Sequence, residues 1–188
     1  MKATLTAILA AALCAFSGPS FAGWWDDFKD HVSHNWDQSK KAANEGRHDV
    51  YISGLIWHAP WAYSAERRTE ENEAGWGLGL GKSVIDDRNR THGLYFLAHR
   101  DSNYKPQYNF GYSWTTYWQL GKSNWDAGLG YSAFFFMRSD FASYTPIPAV
   151  LPLATVRWDK RAEIMGTFVP GFGDNGNVAY IFARFSFP

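Results

Sequence analysis

The chain has 188 residues and no formal net charge, with 18 basic side chains balanced by 18 acidic ones. That balance, without a basic patch, gives no support to nucleic-acid binding. Phe, Trp and Tyr make up 18% of the chain and ten residues are Trp, yet the mean hydropathy is negative, at −0.35, and nothing after the first residues approaches the roughly 18–20 consecutive apolar residues of a transmembrane helix.

In chain order, Lys2, an apolar run from Leu5 to Phe16 and the small-residue segment Ser20-Phe21-Ala22 have the anatomy of a secretory signal peptide over residues 1–22. Leu13 before Cys14 is not the small residue that lipidation expects, so the only cysteine leaves with the signal. The mature chain then has no disulfide framework. Residues 23–46 come next as an amphipathic helix. Trp25, Phe28, Val32 and Trp36 recur at helical spacing on one face, with Asp26, Asp27, Lys29, Asp30, Ser33 and Asn35 around the rest. A short helix of this kind is marginal by itself in water, so its aromatic face needs a partner, the membrane interface or a protein wall.

From residue 47 to 188 the period changes to two. Eight alternating segments, near residues 49–63, 75–84, 91–101, 107–118, 124–138, 148–158, 161–170 and 177–187, are separated by polar or Gly/Pro-rich turns. With strongly aromatic strands and no helical span, the expectation is an all-β fold, an eight-stranded antiparallel transmembrane β-barrel behind a short N-terminal amphipathic helix. A soluble β-sandwich or lipocalin-like barrel is the alternative from patterning alone. Alternating aromatics continue to the end, in Phe182-Ala183-Arg184-Phe185-Ser186-Phe187-Pro188. No linker or repeat marks a second domain.

The strand faces differ. Tyr108, Phe110, Tyr112, Trp114 and Trp118 share one face of the fourth segment, and Asn109, Gly111, Ser113 and Thr115 the other. In the second, Gly75, Gly77, Gly79 and Gly81 alternate with Trp76, Leu78 and Leu80. Glycine weakens a strand, so this row calls for close approach of a ligand or relief of crowding in a tight barrel. Leu94 or Leu97, Phe134, Phe136, Leu151 and Leu153 are the apolar candidates for the inner wall. Any ligand there would be slim and apolar, as an acyl chain is. Pro152 and Pro170 fall in the sixth and seventh segments, where proline removes a ladder donor and marks an edge, a bulge or a break in pairing.

Three polar groups could support acyl transfer. His58 stands in Leu55-Ile56-Trp57-His58-Ala59-Pro60-Trp61, and Asp101-Ser102 closes the third segment. They supply a base, a carboxylate and a hydroxyl. Such sets arise by chance in a chain with six histidines, and a polar barrel rim is the other reading.

From Asp49 to Phe187 the chain resembles the lipid A palmitoyltransferase family of Gram-negative outer membranes. The first matching segments are Tyr51-Ile52, Trp57-His58-Ala59, Trp76-Gly77 with Gly79, His92-Gly93-Leu94-Tyr95 and Asp101-Ser102. Gly111-Tyr112, Gly128-Leu129-Gly130, Leu151-Pro152-Leu153-Ala154, Pro170-Gly171 and Asn175-Gly176-Asn177-Val178 complete the ordered series. The helix before the barrel also belongs to the pattern.

The resemblance implies an acyltransferase that moves a palmitoyl or similar chain from an outer-leaflet glycerophospholipid to lipid A, without metal, nucleotide or soluble cofactor. It implies His58 as acid/base, with Asp101 and Ser102 orienting or polarising groups at the ester, and leaves covalent and direct transfer open. Substrate contacts are expected at Gly77, Gly79 and Gly111, and the resemblance implies lateral lipid access at Pro152 and Pro170 and an acyl-pocket floor at Ser113, where well-known members have glycine. Ser53 and Gly75 stand where a second gap is often marked by prolines. Arg138 and Asp86 match positions that tie the barrel together, while Thr115 replaces a glutamate of the pattern. A monomer is expected, because closure removes the strand edges. An outer-membrane lipase or lipid A deacylase, and a non-enzymatic binding barrel, are the rival functions.

Overall fold

The computed structural model describes residues 21–140, 142–171 and 176–188. The signal peptide expected over residues 1–22 lies almost wholly outside them. The chain forms two compact units, Met1–His34 and Asn35–Pro188. Helix α1 (Phe21–Glu45) supplies the described part of the first and enters the second. Its face carrying Trp25, Phe28, Val32 and Trp36 is exposed, each residue by about half or more. Within the first unit Phe28 stacks on Trp24 and Trp25 at 5.8 and 5.6 Å. An exposed aromatic face of this kind suits a helix whose apolar side meets lipid.

The second unit is a closed barrel of eight antiparallel strands in sequence order. They are β1 (Arg47–His58), β2 (Gly77–Ile85), β3 (Arg90–Arg100), β4 (Pro106–Gln119), β5 (Trp125–Arg138), β6 (Ile147–Trp158), β7 (Ala162–Val169) and β8 (Val178–Phe187). Closure gives every strand a neighbour on both sides, the backbone solution that lipid requires. The first strand stops at His58 rather than running on to residue 63. Pro60 follows, and the amides of Ala62 and Tyr63 donate to the carbonyl of Ala59, so Trp61 and Tyr63 continue the alternation in a turn. A short helix, α2 (Ala65–Glu70), capped by the Ser64 hydroxyl, fills the connection to β2.

The outer wall is apolar. Leu78, Leu80, Phe96, Phe110, Leu129, Val150, Ile164 and Ile181 all project outward with 39–68% exposure. Trp118, Trp125 and Trp158 stand at the short-turn end, and Trp61, Trp76 and Tyr104 at the long-loop end, all exposed. An aliphatic belt between two aromatic girdles is the surface of a bilayer-spanning barrel. The last turns of α1, within the second unit, dock on this wall through Asn35 Nδ2 to Tyr131 Oη at 2.8 Å and Lys82 Nζ to the Ala43 carbonyl at 2.9 Å.

The interior has two zones. Towards the short turns it is ionic. Arg157 donates to Asp126 at 2.7 and 3.0 Å, to Thr91 at 3.1 Å and to Asn89 at 2.9 Å, with its guanidinium 3.5 Å over the Tyr117 ring. Arg184 pairs with Glu163, which also accepts from Tyr117 Oη at 2.5 Å. Each charge has a partner, which offsets the cost of taking it out of water. Above these layers the wall turns apolar and a cavity opens.

Candidate active site

The cavity has a volume of about 330 Å³, within the range of pockets that enclose a small organic ligand, about 300–1,000 Å³. Leu97, Phe134, Phe136, Leu151 and Leu153 line it. Leu94 faces outward instead, because β3 buries Leu97 and His99 on the other parity. Its deepest lining includes Tyr95 and Ser132, whose hydroxyls are 2.8 Å apart. The lining runs along β3 from His99 to Tyr95, four residue steps or roughly 13 Å. The shape is a narrow apolar slot with a polar mouth.

Ser113 is buried in register with Ser132 and Gly93, but it is not one of the lining residues. Ser132 and Tyr95 meet the cavity at that depth. Gly77, Gly79 and Gly111 are also set away from the lining. A Cβ on Gly77 would lie 2.2 Å from the Ala98 carbonyl oxygen, on Gly79 2.5 Å from that of Phe96, and on Gly111 2.4 Å from Phe134 Cβ. Close approach of neighbouring strands accounts for these glycines.

The mouth lies at the long-loop end. His58 closes β1, while Asp101 and Ser102 begin the turn after β3. Ser102 lines the cavity and is nearly buried. His58, 1% exposed, stands behind the lining residues Tyr63 and Glu71, its ring edge-on to Tyr63 at 5.1 Å. Neither imidazole nitrogen has a hydrogen-bond partner among the described residues, and the Glu71 carboxylate is 3.9 Å from Nε2. Asp101 Oδ1 accepts from the amides of Asn103 and Lys105 at 2.9 and 2.8 Å, and Oδ2 lies 3.3 Å from Arg138 Nη2. Thus the three residues gather at one end of the barrel, but no hydrogen bond joins His58 to Asp101 or Ser102. Catalytic hydrogen bonds are often loose before substrate binds.

Asp101 and Ser102 are tied to the β1–β2 connection by Asn72, which sequence reasoning did not single out. Its amide donates to the Ser102 carbonyl at 2.8 Å and its side chain to the Asp101 carbonyl at 3.0 Å. This buried residue ties the β1–β2 connection to the β3–β4 turn. Tyr63 Oη donates to the Gly176 carbonyl at 2.7 Å, tying in the β7–β8 connection. Loop residues of this kind have no periodicity to betray them.

Beside the cavity the barrel wall is incompletely paired. The β6–β7 ladder ends at Leu153↔Thr167, leaving residues 147–152 of β6 paired only to β5 and residues 168–169 of β7 only to β8. Pro152 is the first unpaired residue of β6, its carbonyl accepting from Thr167 Oγ1 at 2.7 Å, and Pro170 follows the end of β7. A second interruption separates β1 and β2 beyond Ser53↔Gly77. There Ser53 Oγ donates to the Gly75 carbonyl at 2.7 Å and the Ile56 amide to that of Glu73 at 2.9 Å.

Residues 38–184 match the model of the family described as "Antimicrobial peptide resistance and lipid A acylation protein PagP". The chain is 38% identical over 166 residues to the lipid A acyltransferase PagP of Citrobacter koseri, covering 88% of this chain and 84% of that protein. It is 36% identical over 165 residues to the lipid A palmitoyltransferase PagP of Escherichia coli, covering 87% and 84% respectively. With the lipid A acyltransferase PagP of Edwardsiella tarda it shares 35% identity over 97% of both chains. An eight-stranded barrel, an apolar slot inside it and a match along nearly its whole length agree: the chain belongs to the PagP family.

Proposed function

We propose that this chain is an outer-membrane acyltransferase that moves a palmitoyl-length chain from an outer-leaflet glycerophospholipid to lipid A. The observation that carries the reading is the narrow apolar slot inside the barrel, which has Ser102 in its wall and His58 behind its mouth. The names of the curated relatives agree with this reaction. The acyl chain lies in the slot with its ester at the mouth. His58 is the acid/base, taking the proton of the attacking lipid A hydroxyl and returning it to the departing glycerol oxygen. Ser102 polarises the ester, and Asp101, held in its turn, fixes Ser102 and Arg138. One ester replaces another, so the chemistry asks for no redox partner.

The slot lies beside the unpaired stretch of β6 and β7. Lipid enters sideways there, between Pro152 and Pro170, without leaving the bilayer. Tyr95 and Ser132 form the floor, with Ser113 packed behind them as a second determinant of depth. The protein acts as a monomer after export by a cleaved leader of residues 1–22.

The test is product analysis with purified protein in detergent, a glycerophospholipid carrying labelled palmitate, and lipid A. The expected result is label on lipid A, reduced by about 100-fold or more in His58→Ala. Free labelled palmitate instead would make the protein a lipase, and loss of acyl chains from lipid A a deacylase. No product from a correctly folded barrel would leave a binding protein.

A further inference from the structure

The carboxylate placed to serve His58 is not that of Asp101. Asp101 is turned to its own loop and to Arg138: Oδ1 accepts from two turn amides, and Oδ2, which accepts no hydrogen bond from the described residues, faces Arg138 Nη2 at 3.3 Å. The carboxylate beside the imidazole belongs to Glu71, with Oε2 3.9 Å from Nε2. Resting on the reading of His58 as the acid/base, we propose that Glu71 is its positioning residue, orienting the imidazole and stabilising the imidazolium that forms during acyl transfer.

Three observations support this assignment. Glu71 is held on both sides. Arg67 Nε lies 3.3 Å from its Oε1, and the next residue, Asn72, is locked to the turn of Asp101 and Ser102. Its side chain is largely buried and lines the cavity mouth, where a charge interacts more strongly than it would in water. His58, in turn, is almost completely buried, and neither ring nitrogen has a hydrogen-bond partner among the described residues. A group that must carry a proton in such a place needs a counter-charge.

The remaining charges near His58 are few. Glu73, on the same connection, is exposed and acts on the ring only through its charge. Arg67 is paired to the far oxygen of Glu71. Tyr63 presents its ring to the imidazole and commits its hydroxyl to Gly176.

The step balances without another reactant. The lipid A hydroxyl loses its proton to one nitrogen of His58 while the other nitrogen faces Glu71. The new C–O bond forms to lipid A and the C–O bond to glycerol breaks. The proton then passes from His58 to the glycerol oxygen.

The experiment is the pH–rate profile of acyl transfer by the full-length protein, comparing wild type, Glu71→Gln, Glu71→Asp and His58→Ala. Glu71→Gln keeps the shape and removes the charge. It is expected to lower kcat about tenfold or more with little change in KM, and to move the acidic limb about one pH unit lower, the effect of losing one opposite charge at this distance. Glu71→Asp, charged but on a shorter stem, is expected to keep the wild-type limb at a reduced rate. An inactive His58→Ala beside a Glu71→Gln enzyme with wild-type rate and limb would overturn the role of Glu71. A Glu71→Asp enzyme with the limb displaced like that of Glu71→Gln would do the same, because charge would then not be what matters. An active His58→Ala enzyme would remove the reading of the site on which the proposal stands.

Discussion

Single residues divide into those that hold the barrel and those that shape the slot. Glu163 and Arg184 are both buried and paired. Glu163→Ala strands the guanidinium and is expected to destabilise the barrel by about 3–5 kcal/mol, measured by denaturant unfolding in detergent. An unchanged midpoint would mean that water reaches Arg184. Asp86, in the turn after β2, shows a pH dependence of known sign. Burial works against its charge, but hydrogen bonds from the Arg90 backbone, His92 and the Arg90 side chain, with the Arg90 charge, hold its pKa down to about 2, from 3.8. Its contribution to stability is full above pH 3.8 and is lost as pH falls towards 2. An NMR titration of its carboxyl carbon should show a midpoint near 2, and one near 3.8 contradicts these hydrogen bonds in the turn. At the slot floor, Ser132→Ala breaks the bond to Tyr95 and Ser113→Gly opens space behind it. Both are expected to lengthen the preferred acyl chain by about one carbon. An acyl-length profile unchanged in both variants places the floor elsewhere. Period-two alternation made the wall residues legible in the sequence, but it could not reveal that Tyr95 and Ser132 meet over the intervening strand β4. Resemblance singled out His58, Asp101 and Ser102, which the fold gathers at one end of the barrel, whereas Asn72 and the proposed partner Glu71, in an aperiodic connection, carried no signal.

At the level of elements, the ladder between β6 and β7 is the informative one. Proline at position 152 signals lost pairing because it has no N–H to give, and the ladder does end beside it, at Leu153↔Thr167. The length of the gap was not legible, since pairing depends on the neighbouring strand. Amides of residues 147, 149–151 and 168–169 that point into the gap are expected to exchange with solvent deuterium faster than ladder amides of residues 153–158 and 162–167. Uniform protection along both strands would close the proposed entrance. The β1–β2 interruption differs because Ser53 Oγ and the Ile56 amide bridge it. The glycine row of β2 had two readings in the sequence, and crowding by β3 explains Gly77 and Gly79. The overrun of the first predicted strand has a local cause, a turn after His58 whose aromatic residues happen to keep the alternation.

For the molecule as a whole, the two ends and two faces of the barrel give a consistent division of labour. The outer belt suits lipid, the ionic layers stiffen the short-turn half, and the other half is left hollow for an apolar guest. Leu80, outward and 68% exposed, tests the belt. Leu80→Arg is expected to cost about 2–4 kcal/mol if it lies near the bilayer midplane, read as unfolding in lipid vesicles, and no cost there would mean that this face is not in lipid. Acyl transfer to lipid A through His58 can be read by mass spectrometry of lipid A from Gram-negative cells making either the wild-type protein or His58→Ala. Wild type is expected to give lipid A heavier by one palmitoyl-length chain, and His58→Ala unmodified lipid A. Lipid A left unmodified by a wild-type protein correctly inserted in the outer membrane would rule this transfer out.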